Sequence, residues 1–231
     1  MIVEIIAITP DDVAVAAAAG ADRIELVSGI AEGGLTPSAG LMEAAVQAAA
    51  IPVNVMIRPH SQSFRYNETD QRVMLRDIEA ARAAGAAGIV IGLLNAAGEI
   101  DRTGLELLLA AADGMDVTFH RAFDELQDQA EGLRVLSEYE AISRVLTAGG
   151  LRPAPESAGQ LRMLQELSAE LGGPRIMGGY GLNADNAADF VKKTGVPEVH
   201  FGSGARVKGS FQYGVDARVV ERIRSNWPSR A

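Results

Sequence analysis

Residues 116–125 read DVTFHRAFDE. Val117 and Phe119 alternate with Thr118 and His120, the period of two that a β-strand imposes. The apolar character then stops at His120 and Arg121. What this change of polarity means depends on the sheet that holds the strand.

Similar runs recur along the chain: IVEIIAI (2–8), DRIELVS (22–28), VNVMIR (53–58), GIVIGLL (88–94), SRVLTAG (143–149), RIMGG (175–179) and EVHFGSG (198–204). Helical stretches rich in Ala and Leu separate them, at 10–19, 38–50, 68–84, 103–113, 127–139, 156–171, 185–194 and 215–226. Strict alternation predicts parallel strands joined by crossover helices. Eight such units in 231 residues predict one α/β domain over 1–231, a closed (β/α)8 TIM barrel, a fold that typically takes roughly 250 residues. An open doubly wound sheet suits the chain less, because the first turn is ITPDD (8–12) rather than G-x-G-x-x-G. Thr9, Thr36, Thr103 and Asn183 are expected N-caps, with Pro10 and Pro37 at first helical positions.

In a barrel, alternate strand residues face the helices and the interior. The helix-facing set is apolar: Ile24 and Leu26, Val53 and Val55, Val117 and Phe119, Val199 and Phe201. The inward set is polar: Glu4, Arg23, Glu25, Asn54, Arg58, Thr118, His120, Glu198 and His200. Glu25, Arg58, His120 and His200 come late in their strands, at the end where TIM-barrel sites form. Two readings follow: a reactive pocket, or an internal ion network that fills the barrel. Arg121 and Asp124 follow in the fifth strand–helix loop, and Asp124 is expected to cap the next helix.

The turns MGGYGLNADN (177–186) and HFGSGARV (200–207) put glycines directly after strands. Such turns can aim backbone N–H groups at an anion. Gly178, Gly179, Gly181, Gly202 and Gly204 are therefore candidates for a phosphate or anion site, with Arg206 as counter-ion. Tight-turn geometry alone is the other reading. Lys192, Lys193 and Lys208 lie outside the strands, which disfavours a Schiff-base lysine. No G-x-S-x-G or H-E-x-x-H occurs, so acid–base chemistry by Glu25, His120 or His200 stays open.

The net charge of −9 argues against a nucleic-acid partner. The chain has no cysteine, which excludes disulfides and thiolate metal sites. The apolar stretch VAVAAAAGA (13–21) is too short to span a bilayer, and Met1 leads straight into a strand pattern. A cytoplasmic location with no membrane partner is expected.

Several blocks, in order, resemble the CutC family: GADRIELVSGIAEGGLTPS (20–38), VMIRPH (55–60), VTFHRAFD (117–124), RVLTAGG (144–150), IMGGYGLNADN (176–186) and EVHFGSGAR (198–206). The resemblance implies a TIM-type barrel, a homodimer, and copper binding or homeostasis. In some members copper binding is attributed to cysteines on the first two strands. The matching positions here are Ile6 and Val27, so no thiolate copper site is available. The chain also departs from the family at RPHSQSFRYNETD (58–70), where His60 replaces an expected arginine. His120, His200 and Glu25 remain candidate ligands for a harder metal ion, and no cofactor is specified. The competing function is a lyase, isomerase or epimerase acting on a small anionic molecule, possibly phosphorylated. Glu25 and His120 would then move protons, Arg58 and Arg121 would hold anionic groups, and His200 would be a second acid or base. A non-catalytic dimer is the third reading.

Overall fold

The apolar runs become strands and the Ala/Leu-rich runs become helices, in the predicted order. They are β1 (Ile2–Ala7), α1 (Pro10–Ala18), β2 (Arg23–Leu26), α2 (Ala39–Ala48), β3 (Val53–Met56), α3 (Glu68–Ala83), β4 (Gly88–Ile91) and α4 (Arg102–Ala111). The second half holds β5 (Asp116–Phe119), α5 (Gln129–Ser137), β6 (Ile142–Thr147), α6 (Ala158–Leu171), β7 (Arg175–Gly178), α7 (Ala187–Thr194), β8 (Glu198–Phe201) and α8 (Ala217–Ser225). The structure is a computed structural model that describes residues 1–227; the end of the predicted domain lies outside the described residues.

Every strand pairs in parallel with its sequence neighbour, and β1 pairs with β8, so the sheet closes into a barrel. The main core lies between strands and helices. Ile24, Leu26, Val117, Phe119, Val199 and Phe201 are wholly buried there. Each such side chain contributes about 1.5–3 kcal/mol by leaving water. A smaller cluster of Val27, Met56 and Val90 sits apart from it. The parity read from the sequence therefore holds: one face of each strand feeds the helix layer, and the other fills the barrel.

Four of the expected helix caps fall elsewhere. Thr9 does cap α1, accepting from Asp12 N at 3.1 Å. Thr36 instead accepts from the Arg58 backbone N–H at 2.8 Å, and Ser38 caps α2 beyond Pro37. Asp101, not Thr103, caps α4. Asn183 builds a turn ahead of α7, accepting from Asp185 N at 2.8 Å and Asn186 N at 3.2 Å. Thr36 and Asn183 each bond a backbone N–H outside the helix they were expected to cap. Asp124 likewise does not cap α5; Asp128 does. Asp124 is buried and accepts from the Thr147 hydroxyl at 2.5 Å and the Ala148 N–H at 3.1 Å.

Candidate active site at the barrel mouth

The inward polar residues divide into two layers. The lower layer lies near the strand starts. Glu198 accepts from Arg23 Nη2 at 2.6 Å, Arg144 Nε at 3.0 Å and Arg175 Nε at 2.6 Å. Arg144 also donates to Asp116 at 2.6 Å and Thr118 at 2.8 Å, and Asn54 donates to Asp116 at 3.0 Å. Arg23 Nε donates to Glu4 at 2.5 Å. Arg23 and Arg144 thus each meet two carboxylates, as buried charges require.

The upper layer surrounds a cavity of about 440 Å³ at the C-terminal mouth. Glu25, Arg58, His120, Arg121 and His200 all line it, as do Gly181, Gly202 and Gly204. Gly178, Gly179 and Arg206 do not line it. A Cβ on Gly178 would strike the Phe190 ring at 2.6 Å, and one on Gly179 would crowd His200 at 3.1 Å, so these glycines serve packing. A Cβ on Gly204 would lie 2.0 Å from the Leu182 carbonyl oxygen, so its absence lets the last two loops touch. Arg206 already has its counter-ion: it donates to Asp12 at 2.8 Å and to the Ile6 and Tyr213 carbonyls at 3.1 and 2.9 Å. Asp12 neutralises it.

His200 links the layers. Its Nδ1 lies 2.7 Å from Glu4 Oε1, and its Nε2 lies 3.9 Å from Glu25 Oε2. Burial would raise the Glu4 pKa, but Arg23 and His200 outweigh it and hold the value at about 2. Glu4 is therefore ionised, and His200 Nδ1–H donates to it. Burial would depress the His200 pKa, but Glu25 and Glu4 push it up instead. Glu25 is buried and its Oε1 has no partner. Burial, with Glu4 nearby, raises its pKa to about 7 against the pull of His200 and Arg23. Such a carboxyl can take or give a proton near neutrality.

His120 differs. The Ala122 N–H donates to its Nδ1 at 3.1 Å. Burial, and then the Arg58 charge, lowers its pKa to about 3. The ring is neutral, and its single hydrogen sits on Nε2, which has no partner. A Cβ on Gly92 would lie 2.3 Å from His120 Nδ1, so this glycine makes room for the ring.

Arg58 is 7% exposed. Its Nη1 donates to the Glu32 and Gly34 carbonyls at 3.0 and 3.1 Å, and its Nε has no partner. Among the described residues, Arg23, Arg144 and Arg206 are the other buried arginines, and each meets a carboxylate; Arg58 meets none. Its guanidinium stacks on Phe64 at 4.6 Å, and Phe64 lies 4.9 Å from the His120 ring. Arg121 donates to Asp124 at 2.7 Å and lies over Tyr180 at 4.3 Å. Tyr180 has a left-handed φ of 76°, a strained state for a non-glycine residue at a site's rim.

Glu4 as the partner of His200, and Phe64, Gly92 and Tyr180 as shapers of the mouth, emerge only from the structure. Glu4 was legible as inward-facing but not as a neighbour of residue 200. Of the predicted metal ligands, Glu25 and His200 come together with Glu4, one ligand atom from each within 4.8 Å; His120 is not in that group. Both Glu4 oxygens are occupied by Arg23 and His200.

A closed parallel barrel of eight strands alternating with eight helices, with polar side chains at its C-terminal mouth, defines a single-domain (β/α)8 TIM barrel. The CutC family profile matches residues 1–205, and this chain belongs to the CutC family. A family protein CutC of Sinorhizobium medicae is 43% identical over 200 residues, covering 87% of this chain and 80% of its own. A family protein CutC of Caulobacter vibrioides is 41% identical over 210 residues, covering 91% of this chain and 84% of its own. A crystal structure described as the putative copper homeostasis protein CutC from Streptococcus agalactiae superposes with a TM-score of 0.81 at 32% identity, over 87% of this chain and 98% of that one. A phosphoribosyl anthranilate isomerase from Thermococcus kodakaraensis reaches a TM-score of 0.69 at 15% identity, over 99% of each chain, a likeness of fold alone. None of the described helices is long and apolar enough to cross a membrane.

Proposed function

We propose that the barrel mouth binds a small organic anion and performs acid–base chemistry on it, as a lyase, isomerase or epimerase does. The observation that carries this reading is Arg58, a buried guanidinium with no carboxylate partner on the cavity wall. A buried cation without a counter-ion is costly, and a carboxylate or phosphate on the ligand would supply one. Glu25 and His120, both with unpaired polar atoms, line the same cavity. Calorimetric titration with inorganic phosphate and with small carboxylates tests the reading. Binding that weakens in Arg58→Gln is expected; no binding of any anion by the wild type sinks it.

A role in copper homeostasis comes to this chain from the name of the Streptococcus agalactiae relative, and family membership supports it. A resident Cu(I) site suits these residues poorly. The chain offers no thiolate, and the Glu4–Glu25–His200 group supplies oxygen and imidazole donors, which favour divalent ions. If that group holds an ion, Glu25 and His200 Nε2 would be its ligands, and Glu4 would orient the imidazole from behind. Competitive titration with divalent copper and zinc, repeated on His200→Ala, tests this second reading; affinity unchanged by the substitution removes it. The family likeness also favours a homodimer, and a cysteine-free chain is compatible with a cytoplasmic one; light scattering after size exclusion checks the assembly.

A further inference from the structure

We infer that the mouth moves a proton at a carbon next to a carbonyl group, in a compact carboxylate or phosphate ester. This rests on the reading of the mouth as an anion site, and adds the reaction and the substrate class. Three placements carry it. The Ala122 N–H donates to His120 Nδ1 at 3.1 Å, so the ring's own hydrogen is on Nε2, unpartnered and buried. A fixed, neutral N–H in a cavity is a donor for an oxygen that gains negative charge during reaction. Glu25 lines the same cavity and has a buried, unpartnered Oε1, while its Oε2 lies 3.9 Å from His200. Arg58 supplies a positive charge with no carboxylate of its own, which seats the anionic group; burial, and then this charge, keep His120 from taking a second proton.

The step balances without a co-reactant. The Glu25 carboxylate takes the proton as the C–H bond breaks. The freed pair forms a carbon–carbon double bond to the carbonyl carbon, and the carbonyl π pair moves onto oxygen. His120 Nε2–H stabilises that oxygen. The proton returns from Glu25 to the same carbon, regenerating the substrate, or its epimer once the planar intermediate has turned over. On a 2-hydroxy carbonyl compound His120 Nε2–H protonates the enolate oxygen and takes up the hydroxyl proton, and the Glu25 proton goes to the neighbouring carbon, giving an aldose–ketose type of isomer. His200, braced by Glu4 at 2.7 Å, is a positioning residue that steadies the charged form of Glu25.

The test uses the full chain in D2O, with pyruvate, 2-oxobutyrate, glyceraldehyde 3-phosphate and ribose 5-phosphate as probes. Proton NMR reads deuterium at the carbon beside the carbonyl, and calorimetry measures binding of each probe in parallel. Protein-dependent exchange with at least one probe is expected. Glu25→Gln should slow it by about 10²-fold or more. His120→Ala should slow it by about 10²–10³-fold. His120→Gln, which keeps an N–H donor, should recover part of that loss. The carboxylate and phosphate arms separate the two kinds of anion. Binding that depends on Arg58 without exchange on any probe overturns this inference and leaves the anion site standing. Absence of both binding and exchange removes both. Nitrogen-15 NMR of the His120 ring gives a readout independent of activity: a proton on Nδ1 rather than Nε2 also overturns it.

Discussion

At the N-terminal end of the barrel, Arg23 and Arg144 share Glu198 and reach Glu4 and Asp116 besides. At the C-terminal end, Arg58 has two backbone carbonyls and no carboxylate. Both ends use buried charges projecting from neighbouring strands. In the lower layer the charges answer one another, so that layer is structural. In the upper layer Glu25 Oε1, Arg58 Nε and His120 Nε2 remain unanswered. Charge inside a barrel is thus not a mark of function by itself; the missing internal partner is what makes the upper layer the candidate site.

Matched substitutions are the strongest way to break this contrast. Arg23→Met leaves Glu4 with His200 alone and takes one of three arginines from Glu198 in the interior. It should cost about 3–5 kcal/mol in urea unfolding. A loss under 1 kcal/mol there would mean that the lower layer is not a structural network.

The pH dependence sharpens the contrast from the other side. Glu25 moves from 4.5 to about 7 on folding, so the folded protein holds this proton more tightly than the unfolded chain. That contribution is complete below pH 4.5 and is lost as pH rises through 7. Glu25→Gln should therefore gain on the wild type across that window, by about 3 kcal/mol. His120 moves the opposite way, from 6.5 to about 3. Its contribution is complete above pH 6.5 and is lost as pH falls toward 3, and His120→Gln should lose that acid-side slope. Chemical denaturation at a series of pH values reads both; two variants with parallel difference curves would contradict the assignment.

Arg58→Met should have the smallest effect on stability, about 1 kcal/mol, since it removes a charge that had no ion pair. Anion affinity should fall about 10–100-fold in the same variant. Equal destabilisation by Arg58→Met and Arg23→Met would erase the difference between the layers.

The barrel was legible because alternation of strand and helix, and parity within each strand, are local properties of sequence. Residues 116–121 illustrate this: Val117 and Phe119 do enter the core, and His120 does end at the mouth. Which inward residues touch was not local. Glu4 and Glu25 look alike in sequence, yet one is ionised against Arg23 while the other holds its proton to neutrality. The register between strands decides this, and no strand carries it alone. Arg206 and Asp124 were misread for the same reason, because Asp12 and Thr147 lie far from them in the chain. Phe64 gave little signal inside a polar loop, although it packs between Arg58 and His120.

The pairing of β1 with β8 has a consequence for how the protein is made. Glu4 and His200 are separated by 196 positions, and Arg23 and Glu198 by 175. Contacts of such high order form late, after the entropy of ring closure has been overcome. A chain emerging from the ribosome has Glu4 and Glu25 on adjacent strands long before His200 exists to sit between them. Without the histidine Glu4 keeps Arg23 while Glu25 has no ion-pair partner, so the half-made barrel favours a protonated Glu25. The tuned Glu25–His200 pair is consequently a marker of completed closure, and its spectroscopic signature should appear in the last kinetic phase of refolding.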